Sequence, residues 1–300
     1  MKTNCLQCPR QCGADRTAGG VGYCRAPWDF QIARASLHLW EEPSVSGTRG
    51  SGTIFFSGCN LRCVFCQNRD ISHTAKGKTV SSDGLASLML RLRDAGAHNI
   101  NLVTPTPYAW QIAEVLKSIK PTLGIPVVYN CGGFESIETL KRLDGLVDVY
   151  LPDFKYFSAE NATRYSDAPS YFQTAFDALR EMLRQVGKPH FDESSIIQQG
   201  VIVRHLVLPS CRTDSIALLD CLAEAFGTDA FLLSLMSQYT PDFAQDCPYP
   251  ALRRRVTSFE YDSVLRHALE LGFDGYFQSR TAATSDYTPD FDDMGFLGNV

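Results

Sequence analysis

Three cysteines stand within eight residues as Cys59-Asn-Leu-Arg-Cys63-Val-Phe-Cys66. A closed tetrahedral zinc site wants four ligands and is usually assembled from CxxC knuckles, which this spacing does not supply. Three thiolates suit a four-iron cluster that leaves one iron open to a small molecule, because cysteine sulfur is the usual protein ligand of such clusters. The plainer alternatives are a zinc site completed from elsewhere or three unrelated buried thiols. A second group, Cys5, Cys8 and Cys12 with Cys24 beyond Gly19, Gly20 and Gly22, offers four thiols in a stretch poor in apolar residues. Short segments with little core often need a metal staple, so a second metal is expected there, either zinc or another iron-sulfur cluster. The remaining cysteines, Cys131, Cys211, Cys221 and Cys247, are scattered and read as small buried hydrophobes.

Both groups need elements to hold them, and the rest of the chain supplies a repeating pattern. Apolar runs at 52–58, 99–104, 125–130, 147–152, 201–209, 231–237 and 275–279 predict strands. Amphipathic stretches between them predict helices. The one beginning at Ser82 and Asp83 carries Leu85, Leu88, Met89 and Leu92 at helical spacing and stops at Gly96. Others are expected over 110–119, 136–143, 171–186, 215–226 and 258–271. Strands apolar throughout and alternating with helices imply an α/β fold with a parallel sheet covered by helices, either a full or partial (β/α) barrel or an open doubly wound sheet. In each case the active site belongs at the carboxyl ends of the strands. The unusual residues sit there: CNLRCVFC after the first strand, TPTP after the second, NCGGF after the third, PDFK after the fourth, with Arg204 and His205 in the fifth. Three units are expected: a cysteine-rich segment over 1–50, the α/β body over 51–285 and a tail over 286–300.

At 300 residues with 44% hydrophobic content, the chain can fill one main core. A net charge of -5 without long basic runs gives no field suited to a nucleic acid. The N-terminus MKTNCLQCPRQCG lacks an apolar signal segment, and no run of eighteen apolar residues follows. A cytoplasmic protein with no membrane partner is therefore expected, and a reducing cytoplasm leaves eleven cysteines free for metals rather than disulfides.

The CxxxCxxC spacing with aromatic Phe65 before the last cysteine resembles the signature loop of radical S-adenosylmethionine (SAM) enzymes. The longer context, GSGTIFFSGCNLRCVFCQN, NINLVTPTP, VYNCGGFES, VYLPDFKYF, VRHLVLP and LMSQYTP, is similar to the PflX-like iron-sulfur proteins related to pyruvate formate-lyase activating enzyme. The resemblance implies a radical SAM barrel in which Cys59, Cys63 and Cys66 hold a [4Fe-4S] cluster and SAM chelates its open iron. It also implies an oxidoreductase chemistry that a cofactor carries, reductive cleavage of SAM to a 5'-deoxyadenosyl radical that abstracts hydrogen from a substrate. Phe65 would neighbour the adenine. Thr104, Pro105 and Thr106 stand where many relatives carry GGE, Asn130 and Gly132 stand in a motif similar to DTNGF with Asn130 in place of an acid, Asp153 and Lys155 match DxK, and Arg204 matches an arginine near SAM. The implied partners are a low-potential electron donor such as flavodoxin or ferredoxin and a protein whose glycine becomes a radical. A radical SAM enzyme acting on a peptide or small metabolite, and a non-catalytic iron or zinc protein, are the rival expectations.

Overall fold

A computed structural model describes residues 4–278 and 289–299, and its strands form one sheet. In chain order they are β1 (Phe30–His38), β2 (Ser51–Phe56), β3 (Lys78–Val80), β4 (Ile100–Val103), β5 (Val127–Cys131), β6 (Val149–Pro152), β7 (His190–Phe191), β8 (Ile197–Leu206), β9 (Leu232–Met236) and β10 (Gly275–Phe277). The helices are α1 (Pro43–Ser46), α2 (Arg69–Ser72), α3 (Ser82–Asp94), α4 (Ala109–Leu123), α5 (Ile137–Arg142), α6 (Ala159–Ser166), α7 (Tyr171–Val186), α8 (Arg212–Phe226) and α9 (Ser258–Leu271).

The sheet runs β10-β9-β8-β6-β5-β4-β2-β1-β3, with the short β7 paired to β8. From β2 through β10 along this path every pairing is parallel, and these are the seven strands expected from the apolar runs, except that Ser279 lies outside the described residues. Buried on both faces, such strands need no polar alternation. Because β10 and β3 end the order without pairing to each other, the architecture among the described residues is a partial barrel.

Helix α3 places Leu85, Leu88, Met89 and Leu92 on one fully buried face, as its spacing requires. Its cap is Ser81 rather than Ser82 or Asp83. Ser81 is extended, and its hydroxyl accepts from the Gly84 N–H at 3.1 Å, so Asp83 falls inside the first turn. Helix α9 covers the expected 258–271 and starts with a reciprocal cap between Thr257 and Glu260.

The segment before residue 51 does not stand wholly apart. Residues 4–29 form irregular loops, but β1 belongs to the sheet, antiparallel to both β2 and β3. Phe30, Ile32, Ala33 and Ala35 are buried there, while the Gln31 side chain is satisfied by Gly77 and Thr79. The described part of the tail is also docked. Gly295 bridges to Ala35 with a positive φ of 58°, and a Cβ at that position would lie 2.3 Å from the Ala35 carbonyl oxygen. Only glycine fits so close an approach. Arg34 donates to the Asp290 and Asp293 carbonyls at 2.6 and 2.7 Å, and Phe291 meets Phe55 edge to face.

Candidate active site

Parallel pairing brings the strand ends to one side of the sheet. Val103 of β4 faces Asn130 of β5, Cys131 faces Pro152 of β6, and Asp153 bridges to Arg204 of β8. A cavity of about 220 Å³ opens there. Cys63, Phe65, Cys66, Asn130, Asp153, Lys155 and Arg204 line it, which unites most of the residues singled out in the sequence. Cys59, Thr104, Thr106 and Gly132 do not line it. Thr106 is buried with its hydroxyl turned to Glu135 at 2.7 Å, and the Gly132 carbonyl is taken by Tyr171.

The cysteine loop follows β2 through a sharp approach. Gly58 has φ of 87°, and a Cβ there would lie 2.7 Å from the Cys24 carbonyl, which in turn accepts the Cys59 N–H at 3.2 Å. Downstream, Arg62 and Val64 donate backbone N–H groups to Ser166 and Tyr165. The thiols have their own polar neighbours: Leu61 N–H points at Cys59 Sγ at 3.4 Å, Ser166 donates to Cys63 Sγ at 2.9 Å, and Ser72 Oγ lies 3.3 Å from Cys66 Sγ. Burial pushes the Cys59 thiol well up and the Cys66 thiol up to about 11, so without metal both stay protonated. Among the described residues no three His, Cys, Asp or Glu side chains converge on one ion-sized position. Three free thiols on one loop, two of them lining the cavity, are soft donors of the kind that hold an iron-sulfur cluster. The donor set therefore fits an iron-sulfur cluster.

Opposite the thiols lies an ionic network. Lys155 Nζ meets Asp153 Oδ2 at 2.5 Å, and Arg204 Nε meets Asp153 Oδ1 at 2.9 Å. Burial alone would raise the Asp153 carboxyl, but the two cations outweigh it and hold Asp153 below the ordinary carboxylate range. Burial would likewise lower Lys155, yet Asp153 beside it keeps the ammonium charged. Arg204 also donates to Asn130 Oδ1 at 2.6 Å and meets Glu41 Oε2 at 3.4 Å. Glu41 lines the cavity although sequence reasoning passed over it, because it follows a strand whose pattern was not recognised. Tyr171 was also missed. Its buried hydroxyl lies 2.8 Å from both the Gly132 and Asp153 carbonyls and accepts from the Lys155 N–H at 3.0 Å, tying the ends of β5 and β6 together.

The first cysteine group packs against the same loop. Cys8 and Cys24 are buried, Cys5 is part-buried and Cys12 is exposed. A Cβ on Gly22 would lie 2.8 Å from Cys12 Sγ, so glycine is what allows that approach. Burial pushes the Cys8 thiol up to about 12, and the nearby Cys24 and Cys5 add to it. Arg10 reaches from this segment to the Asn60 carbonyl at 2.9 Å, inside the CxxxCxxC loop.

No helix among the described residues is long and apolar enough to cross a membrane. Residues 53–197 match the family model of the radical SAM superfamily. A Methanocaldococcus jannaschii protein described as uncharacterized protein MJ0674 is 32% identical over 283 residues, covering 90% of this chain and 76% of its own. Among solved structures, Streptococcus suis SuiB bound to precursor peptide SuiA is similar over 74% of this chain at 13% identity and a TM-score of 0.48. This chain spans 46% of that chain's length. With the family model on the cysteine loop and on β4, β5 and β6, whose ends line the cavity, and a relative matched along nine-tenths of this chain, the chain belongs to the radical SAM superfamily.

Proposed function

We propose that Cys59, Cys63 and Cys66 hold a [4Fe-4S] cluster and that SAM occupies the adjoining cavity. Members of the superfamily are enzymes that typically bind both. The observation that carries the reading is the convergence of the three-thiol loop with Lys155 and Arg204 on one cavity at the carboxyl ends of parallel strands. A cluster held by Cys59, Cys63 and Cys66 would supply the one electron, taken from an external donor, for reductive cleavage of SAM into methionine and a 5'-deoxyadenosyl radical able to remove hydrogen from a substrate. This chain's residues bind and orient. Lys155 and Arg204 attract the SAM carboxylate through charge-assisted hydrogen bonds, and Asp153 fixes both cations in place. Phe65, edge to face on Tyr239 at 6.0 Å, gives the adenine an apolar wall, and Asn130 offers its amide. Thr104, Thr106 and Gly132 shape the strand ends from behind.

Anaerobic reconstitution with iron, sulfide, SAM and dithionite should yield 5'-deoxyadenosine, and Cys63→Ala should abolish both the reduced-cluster signal and the product. Iron binding without SAM cleavage in the wild type would leave only a non-catalytic metal protein. The hydrogen donor in our reading is a glycine of a partner protein, and the electron comes from a flavodoxin or ferredoxin. A glycyl radical seen by electron paramagnetic resonance on mixing with a candidate partner tests this, whereas product formation only with a peptide or metabolite selects that alternative. Cys5, Cys8, Cys12 and Cys24 are proposed as a second metal centre that staples residues 4–29 onto the cluster loop.

A further inference from the structure

A cluster on the cysteine loop is reduced by an electron from outside, and a carrier must come close to the thiols to deliver it. We propose that Arg10, Arg25, Arg62 and Arg69 form the docking face for an acidic one-electron carrier protein; the inference rests on the reading that Cys59, Cys63 and Cys66 hold a cluster. The carrier gives up one electron, the cluster takes it, and no bond forms or breaks. All four arginines contact the cysteine loop or its immediate neighbours. Arg62 lies inside the loop and donates to the Cys59 carbonyl at 3.3 Å. Arg69 follows it, with its backbone N–H on the Cys66 carbonyl at 3.2 Å. Arg25 adjoins Cys24, whose carbonyl takes the Cys59 N–H, and Arg10 reaches the Asn60 carbonyl at 2.9 Å. None of the four lines the cavity, so this face is distinct from the one that receives SAM.

What marks the face is positive charge without counter-charge. Among the described residues none of the four arginines forms an ion pair with a carboxylate. Their guanidinium hydrogen bonds run to carbonyl oxygens instead: Arg10 to Asn60, Arg25 to His73, Arg62 to Tyr23, Cys59 and Leu61, and Arg69 to Phe243. The Arg10 Nη2 is buried with no acceptor at all among the described residues. Arg10 and Arg62 both lie over the Tyr23 ring, at 3.9 and 4.6 Å, so two like charges are held close by the aromatic face between them. Of the acids on neighbouring stretches, Asp167 is engaged by the Tyr23 hydroxyl at 2.7 Å, and neither Asp70 nor Asp242 pairs with an arginine. His73 reports the result: burial holds its imidazole below the ordinary value, and Arg62, Arg69 and Arg25 push it the same way with no acid opposing them. In a chain of net charge -5, such a local concentration of cations steers an anionic partner to one place.

The test measures 5'-deoxyadenosine formation by the cluster-loaded protein, once with reduced flavodoxin as the varied donor and once with excess dithionite. Arg25 and Arg69 are exposed, and reversing both, Arg25→Glu with Arg69→Glu, should raise the KM for flavodoxin about tenfold or more. The rate at saturating flavodoxin and the dithionite-driven rate should stay within about twofold of wild type. High salt should erase most of the difference in KM, because exposed charges are screened. Arg25→Gln with Arg69→Gln should fall between the two and serves if the reversal folds poorly. As a control of equal net charge, Lys117→Glu with Arg180→Glu on the exposed faces of α4 and α7 should leave the flavodoxin KM within about twofold. An unchanged flavodoxin KM in the reversed variant, an equal rise in the control pair, or a wild type that dithionite drives and reduced flavodoxin does not would overturn the proposal. A wild type that cleaves no SAM with dithionite would instead overturn the underlying reading of the cluster, and the proposal with it.

Discussion

Replacing Tyr171 by Phe removes one oxygen from the joint between β5 and β6 and leaves the ring where it packs, stacked on Phe134 and edge to face on Phe154 and Tyr156. The hydroxyl donates toward the Gly132 and Asp153 carbonyls and accepts the Lys155 N–H, which has no other partner among the hydrogen bonds described. Losing a net hydrogen bond costs about 1 kcal/mol, and stranding a buried or half-buried N–H costs about 1–3 kcal/mol more. The sum is about 2–4 kcal/mol, a large share of the margin by which a domain is stable. Urea unfolding at unchanged slope should show that loss in the midpoint. Because the same oxygen positions the segment carrying Asp153 and Lys155, SAM should bind several-fold more weakly while the iron content stays at the wild-type value. A loss below about 0.5 kcal/mol together with an unaltered SAM affinity would refute the assignment of Tyr171 as the pin between the two strand ends.

Glu135 sits buried between Thr106 and Tyr129, and burial lifts its carboxyl from 4.5 to about 8. Between those values the folded chain holds a proton that the unfolded chain has released, so this group's contribution to stability falls as pH rises from about 4.5 to about 8 and levels off above. Glu135→Gln should flatten that slope, and matching melting temperatures of wild type and variant at every pH from 5 to 8 would contradict it. Cys8→Ala should release one zinc per chain with iron and SAM cleavage retained if the first cysteine group holds zinc, or about four irons if it holds a cluster. In both cases residues 4–29 should become protease-sensitive, and no change in metal would show that these thiols are free.

The parallel half of the sheet was legible because each strand is buried on both faces and so appears as an uninterrupted apolar run; NINLV and IPVVYN could hardly be anything else in that context. The same logic hid β1. In FQIARASLH the buried Phe30, Ile32 and Ala35 are interleaved with Gln31, Arg34 and Ser36, and small alanines take the place of large aliphatics. Gln31 and Arg34 are satisfied by partners remote in sequence, which no local pattern announces. Glu41 was lost with its strand, since an acid in LWEEP reads as a solvated turn until the strand before it is placed. The thiols, Asp153, Lys155 and Arg204 were found because rare residue types at strand ends stand out against apolar runs. Tyr171 carried no such mark: a tyrosine at the start of an amphipathic helix is ordinary, and only the approach of the β5 and β6 ends gives its hydroxyl a task.

The docking of residues 289–299 onto β1 has a temporal consequence. Arg34 and Asp290 are 256 residues apart, so β1 receives this cover only after every other strand of the sheet has been synthesised. Until that happens Phe55 lacks Phe291 against it, and the wall bearing His38, Trp40 and Glu41 follows a strand held by β2, β3 and α3 without its cover. The nascent chain therefore passes through a stage in which the cysteine loop is already made and the cavity before it is unfinished. A chain in which residues 289–299 are kept from docking would remain in it, with β1 and Phe55 uncovered on that face.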